Sequence, residues 1–365
     1  MELFNKGDKA YLLLADGTVY EGRSFGKKGT VVGEVVFTTG MVNYQETFTD
    51  PSHYGQIVLQ TFPLVGNAGI NDEDYDTSKS YISGYIVREW CNTPSNFRSQ
   101  GDINDFLVNQ NVIGIHSIDT RSLTKKIREC GVMNGVITTD DVYAKKDEFL
   151  GMISSHKENT IDEVCISKTA EYKSENSKYR VVLMDFGYKR GIKDSLLARG
   201  CDVVVMPYNS TAEQIKAQSP DGIVVSNGPG DPAQNKSAIE NMKEIIALGI
   251  PVFGISMGHQ IIALANGAKT HKLSYGHRGG NQPVVDLGTG RTYVTSQNHG
   301  YVVDTDSIDN SIAEVSHINA NDKTCEGIRY KNAKVITVQF YPDMQGGAND
   351  TVYLFDEFIG LMEEK

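Results

Sequence analysis

Apolar positions along this chain change period twice. Between residues 10 and 90, runs rich in β-branched and aromatic residues (AYLLLADGTVYEGRSFG, VVGEVVFTTG, GQIVLQTFPLVGN, SYISGYIVREW) are broken by turn residues, which predicts strands. Asp16-Gly17 sits between two such runs and predicts a hairpin, because tight two-residue turns need the positive φ that Gly supplies. Helical spacing follows at 102–110 and in TRSLTKKIRECG, where Leu123 and Ile127 lie four apart and Gly131 is placed to end the helix. A mostly β first domain is therefore expected at 1–155. The next segment, 156–179, is polar and charge-rich without sustained period, and reads as a surface linker.

From 180 the texture is different. RVVLMDFG, CDVVVMPY, DGIVVSNGPGDP and PVFGIS are short apolar runs, each followed by a helical stretch: GIKDSLLARG, STAEQIKAQ, SAIENMKEIIALG and MGHQIIALANG. Strands that are apolar on both sides and alternate with helices predict a doubly wound, mainly parallel sheet covered on both faces. The remainder returns to β runs before a last helix, VYLFDEFIGLMEE, so the second domain is expected at 180–365. In such α/β sheets ligands bind at the carboxyl ends of the strands.

Composition narrows the functions. The 365 residues are 39% hydrophobic and 22% charged, enough for two globular cores. Lys and Arg total 35 against 46 Asp and Glu, a net charge of −11, which argues against nucleic acid or an anionic membrane as partner. No apolar run approaches the roughly 18 residues of a membrane span, and the first residues lack the signature of a signal peptide. Five scattered cysteines without a CxxC pair fit a reducing cytoplasm. With no HxxxH or HxH and no GxxxxGK[ST], neither a metal site nor an ATP site is expected in this chain, and no cofactor of its own.

The candidate chemistry gathers at strand ends. Gly254-Ile255-Ser256-Met257-Gly258 runs from strand into helix and matches GxSxG, a turn that presents its central side chain beside free helix N–H groups. Ser226-Asn227-Gly228-Pro229-Gly230-Asp231-Pro232 ends the preceding strand. Tyr275–Asn281, Ser296–Gly300 and Val338–Asp343 follow.

Together these motifs resemble the class I glutamine amidotransferase domain, and within that class the small subunit of carbamoyl-phosphate synthetase. GEVVFTTGMVNYQETFTDPSHYGQIV, FPLVGNAGIN, PSNFRSQG and GIHSIDTRSLTKKIRE extend the resemblance through the first domain. In that family a Cys at the elbow attacks the amide of glutamine, a His moves its proton to the leaving ammonia, and a Glu orients the His. The matching positions here are Ser256 (nucleophile), Tyr341 (base) and Asp343 (orienting residue), and the Ser-Pro-Gly-Pro that follows is replaced by Met344-Gln345-Gly346-Gly347. The resemblance places glutamine binding on Ser52, Gly228, Gly230, Met257, Gln260, Asn298, Gly300 and Tyr301. It also implies a large-subunit partner that holds the ATP and metal and makes carbamoyl phosphate from ammonia.

The triad changes have a chemical cost. A few per cent of a free Cys is thiolate at neutral pH, whereas a Ser hydroxyl needs a base. A neutral tyrosine phenol, with a reference pKa near 10, is a poor one. The expectation is a subunit without glutaminase activity that serves its partner structurally. The alternative is an active amidotransferase or hydrolase in which Ser256 uses another base such as His299. The retained binding positions serve either a surviving glutamine site or the fold alone.

Overall fold

The computed structural model describes residues 7–157, 161–343 and 349–364. It divides into two compact units, Met1–Asn159 and Thr160–Lys365. No helix among the described residues is long and apolar enough to cross a membrane.

The first unit opens with β1 (Lys9–Leu14), β2 (Val19–Gly26) and β3 (Thr30–Thr38), then α1 (Tyr44–Thr49) and β4 (Ile57–Gln60). Short β5 (Leu64–Val65), β6 (Gly84–Ile86) and β7 (Glu89–Trp90) follow, with α2 (Ile103–Asn109) and β8 (Ile113–His116). It ends with α3 (Thr120–Cys130), β9 (Met133–Thr138) and α4 (Lys146–Ser155). Seven strands close into a barrel in the order β1-β2-β8-β6-β4-β3-β9. Closure pairs every strand on both sides and leaves no free edge. It also accounts for the run KAYLLL: Leu12 and Leu14 pack with Leu123 and Ile127 of α3, while Tyr11 and Leu13 pack with Phe149 and Ile153 of α4. The expected hairpin turns at Gly17 (φ 83°), and α3 stops at Gly131 (φ 86°). The small helices α1 and α4 were not legible as helices.

The second unit begins with β10 (Ala170–Tyr172), β11 (Tyr179–Asp185), α5 (Arg190–Leu197), β12 (Cys201–Pro207) and α6 (Ala212–Lys216). There follow β13 (Gly222–Val225), α7 (Lys236–Ile246), β14 (Val252–Ile255) and α8 (Met257–Ala265). The last elements are β15 (Thr270–Asp286), β16 (Thr292–Val303), β17 (Ala313–Asn319), β18 (Cys325–Tyr330), β19 (Val335–Val338) and α9 (Tyr353–Glu363). One ten-stranded sheet runs β10-β12-β11-β13-β14-β19-β18-β17-β15-β16. Its centre, β12-β11-β13-β14-β19, is parallel. Alternate residues of β11 enter opposite cores: Val182 and Met184 pack with Met242 and Ile261, and Val181 and Leu183 with Leu196 and Phe355. Beyond β19 the sheet continues through β18, β17, β15 and β16 in antiparallel fashion, so the parallel half is extended by a β region that carries the later motifs.

The expected linker 156–179 departs from the reading. Ile161 is buried against the second core, and β10 pairs antiparallel with β12. The lack of period in this stretch reflects a single edge strand of three residues, too short to show alternation.

Two glycines of the second unit should behave oppositely. A Cβ on Gly258 would lie 2.2 Å from the Val225 carbonyl oxygen, whereas one on Gly360 of α9 meets nothing within 4 Å. Gly258→Ala should lose about 1–3 kcal/mol in urea denaturation, and Gly360→Ala should gain about 0.5–1 kcal/mol. Equal effects would mean that the elbow is not closely packed on β13.

Candidate active site

β14 is buried along its whole length and delivers Ser256 to the carboxyl edge of the sheet. Ser256 has φ 54° and ψ −105°, a conformation that costs a non-Gly residue about 1–3 kcal/mol unless its surroundings hold it. They do. Its N–H donates to the Val338 carbonyl at 2.8 Å on one side, and the Gly258 N–H donates to the Ser226 carbonyl at 2.9 Å on the other. The elbow is thus hydrogen-bonded to the ends of β19 and β13, the strands flanking β14. Gly254 and Gly258 are small because Ile262 and the Val225 backbone would collide with a Cβ. α8 starts at Met257, whose N–H, as the first of the helix, has no intrahelical acceptor.

The turn after β13 lies beside it. The Ser226 hydroxyl accepts the Phe186 N–H at 3.0 Å. Asn227 Nδ2 donates to the Gly187 carbonyl at 2.9 Å, and Asn227 Oδ1 accepts the Lys189 N–H at 3.1 Å. A Cβ on Gly228 would sit 2.3 Å from the Phe186 carbonyl, and Gly230 has φ 85°. Gly230 and Met257 thus follow the carboxyl ends of the adjacent strands β13 and β14.

Gln260, one turn into α8, has an assigned orientation. Its Nε2 donates to the Tyr301 carbonyl at 2.6 Å and to Gln339 Oε1 at 2.9 Å, using both N–H bonds. Its Oε1 keeps its acceptor capacity, since neither of these bonds uses it. Asn298, Gly300 and Tyr301 all lie on β16. Ser52 belongs to the first unit, buried in the short 3-10 turn Pro51–His53, where its N–H donates to the Asp50 carboxylate at 2.8 Å.

Tyr341 and Asp343 share a buried cluster with Lys189. Tyr341 is buried just beyond β19, bridged to Ser296 of β16, and its hydroxyl donates to the Asn298 carbonyl at 3.3 Å. Above its ring, 4.4 Å from the centroid, stands the ammonium of Lys189. The same ammonium lies 3.3 Å from Asp343 Oδ2, with both side chains buried. Gly191 leaves room for this carboxylate, since a Cβ there would be 2.3 Å from Oδ2. Lys189 was missed by sequence reasoning, although a Lys between a strand's carboxyl end and the next helix was a usable signal. Met344–Gly347 lies outside the described residues.

The histidines are committed elsewhere. Burial drives His259 down to about 3, so it is neutral, with Nδ1 at 2.8 Å from the Thr337 hydroxyl. His299 is held well below its ordinary value by burial and by His277. Its Nδ1 is 2.9 Å from the Tyr301 carbonyl and its Nε2 2.9 Å from Gln297 Oε1. Both nitrogens are therefore engaged, which removes the geometry expected of a substitute base for Ser256. His277, His299 and Glu326 bring one ligand atom each within 4.8 Å of one another, a grouping with metal-ligand spacing that no sequence motif announced. His299 and Glu326 are hydrogen-bonded to Gln297, and Glu326 also to Asn319.

Residues 182–361, which carry the strained strand-to-helix elbow, match the class I glutamine amidotransferase family. Residues 12–137 match the CPSase domain of the carbamoyl-phosphate synthase small chain. The carbamoyl phosphate synthase small chain of Fusobacterium nucleatum is 49% identical over 95% of this chain and 96% of its own. That of Bacillus cereus is 47% identical over 97% and 96%. A putative GMP synthase component from Thermoplasma acidophilum is similar in structure over 51% of this chain and 94% of its own, at 20% identity and a TM-score of 0.45. The chain belongs to the carbamoyl-phosphate synthase small chain family.

The buried pair gives a test of the site. Removing one partner of a buried ion pair strands the other charge at a cost of about 3–5 kcal/mol, while replacing both is close to neutral. Lys189→Met should therefore be strongly destabilised in urea denaturation, and Lys189→Met/Asp343→Leu should recover most of the loss. A single variant as stable as wild type would show that Lys189 and Asp343 are not paired in solution.

Proposed function

We propose that this chain is a carbamoyl-phosphate synthase small subunit that has lost glutamine hydrolysis and acts as a structural and regulatory partner of a large subunit fed by free ammonia. The observation that carries this reading is the Lys189–Tyr341–Asp343 cluster. Hydrolysis needs a proton acceptor facing Ser256, and the base position holds a phenol that donates to the Asn298 carbonyl beneath an ammonium. The carboxylate that would orient a base is paired with that ammonium instead. Nucleophile and base act as a unit, and losing both costs on the order of 10⁶ in turnover.

The binding half of the site supports a retained, weak affinity for L-glutamine. Gly228, Gly230, Met257 and Gln260 keep a geometry that serves an oxyanion and a head group. Asn298, Gly300 and Tyr301 supply a neighbouring strand of the same unit. ATP and metal belong to the large subunit in this reading. The cytoplasm is the expected compartment.

Calorimetry should detect glutamine binding without ammonia release. The chain co-expressed with its cognate large subunit should co-purify with it and yield carbamoyl phosphate from ammonia but not from glutamine. Ordinary glutaminase turnover would overturn the reading, and labelling of Ser256 by a fluorophosphonate would favour the hydrolase alternative. Ser256→Cys or Tyr341→His alone should recover little. Together they should raise ammonia release at least about 10²-fold above either single variant, since acid–base help is worth about 10²–10⁴. Asp343→Glu should improve the pair further. A triple variant that binds glutamine yet releases no ammonia would place the defect outside these three positions.

A further inference from the structure

Beside the site lies a buried polar chain that the proposed chemistry does not use. His277 of β15 stands opposite His299 of β16, with ring centroids 5.0 Å apart and planes at 89°. His277 Nε2 is 2.8 Å from Asp322 Oδ2, in the turn after β17, and its Nδ1 is 3.5 Å from Glu326 Oε1 of β18. Asn319 Nδ2 donates to Glu326 Oε1 at 3.1 Å, and Gln297 Nε2 donates to Glu326 Oε2 at 3.0 Å. Gln297 Oε1 then meets His299, whose other nitrogen meets the Tyr301 carbonyl. The chain therefore runs from a half-exposed carboxylate to the carbonyl that also receives Gln260.

Proton counting shows that its members are interdependent. Both nitrogens of His299 face oxygens, which requires one proton more than a neutral imidazole carries. Turning the Gln297 amide passes that demand to Glu326. Burial raises Glu326 and lowers His299, so the two are linked through the orientation of Gln297. Burial also works against a charge on His277, but hydrogen bonds and charge from Asp322 and Glu326 outweigh it and lift His277 to about 9. Arg278, next to His277, adds repulsion against a second charge on His299.

We propose that His277 is a positioning residue for glutamine: clamped between Asp322 and Glu326, it sets Gln297 and His299, and through them the β16 segment Asn298–Tyr301. This rests on the reading that the segment receives the glutamine head group. His277 touches neither substrate nor Ser256 in this scheme; it acts through the strand. Because its pKa is raised in the folded chain, its contribution is full below its ordinary value near 6.5 and is lost as pH rises through about 9.

The test uses the full chain and the charge-removing variant Asp322→Asn, which keeps a hydrogen-bond acceptor at a half-exposed position. Imidazole ¹⁵N spectra should show His277 titrating near 9 in wild type, and at least about one unit lower in the variant. The His299 signals should move at the same midpoint, although Asp322 does not contact His299. Glutamine affinity by calorimetry should fall through that midpoint in each protein. The amine of free glutamine also titrates at high pH, but its midpoint cannot differ between the two proteins. His277→Gln should abolish the protein's own transition and weaken binding about 10-fold or more at pH 7. The proposal is overturned if His299 and glutamine affinity ignore the titration of His277. If wild type binds no glutamine, the functional reading fails, and the response of His299 alone decides whether His277 positions the strand.

Discussion

The site hangs on one strained residue. Ser256 holds a backbone conformation that no side chain adopts freely, and it does so because β19 accepts its N–H while β13 accepts that of Gly258. Those two hydrogen bonds fix the start of α8 against the parallel centre of the sheet. Once that is fixed, the Met257 N–H, the Gly230 turn and Gln260 have their positions without further adjustment. The conformation is retained with Ser in place of the family's Cys because it depends on neighbouring backbones and small glycines, not on the nucleophile.

Binding and chemistry are separable for the same reason. The groups that would hold an amino acid are backbone amides and amides anchored by neutral hydrogen bonds, and they tolerate changes in the groups that move protons. At the base position, a phenol fills the space beneath the Lys189 ammonium, and Asp343 answers that charge. An aromatic face over a buried cation is a favourable contact, and the carboxylate of Asp343 offsets the same charge from the other side.

The second polar layer, His277 to His299, shows what holds β16 in place. Antiparallel strands long enough to carry bulges, as β15 and β16 do, have weak register wherever they leave regular pairing. A buried chain of charges and amides across four strands supplies the specificity that the backbone ladder lacks at that point, and a polar network of this kind rigidifies its surroundings.

Much of this was legible from residue pattern. The change from turn-broken β runs to alternating strands and helices marked two units, because burial on both faces imposes continuous apolar strands and closed barrels leave alternating ones doubly covered. GxSxG and SNGPGDP located the elbow and its neighbour, since glycine is required where backbones touch. The identities at 256, 341 and 343 could be read directly, since side-chain chemistry is local. Tertiary structure alone decided that Lys189 stands over Tyr341, that His299 is engaged through both nitrogens, that β10 joins the sheet edge, and that His277, Glu326 and Asp322 share one buried chain. The His299 contacts lie two positions away on β16 and depend on how the rings and amides pack there. The Lys189–Tyr341 contact, the β10–β12 pairing and the His277–Asp322 contact join residues tens to more than a hundred positions apart, brought together by strand order and register. Periodicity within a window of residues carries no information about such partners, because the contact is made across the sheet and not along the chain.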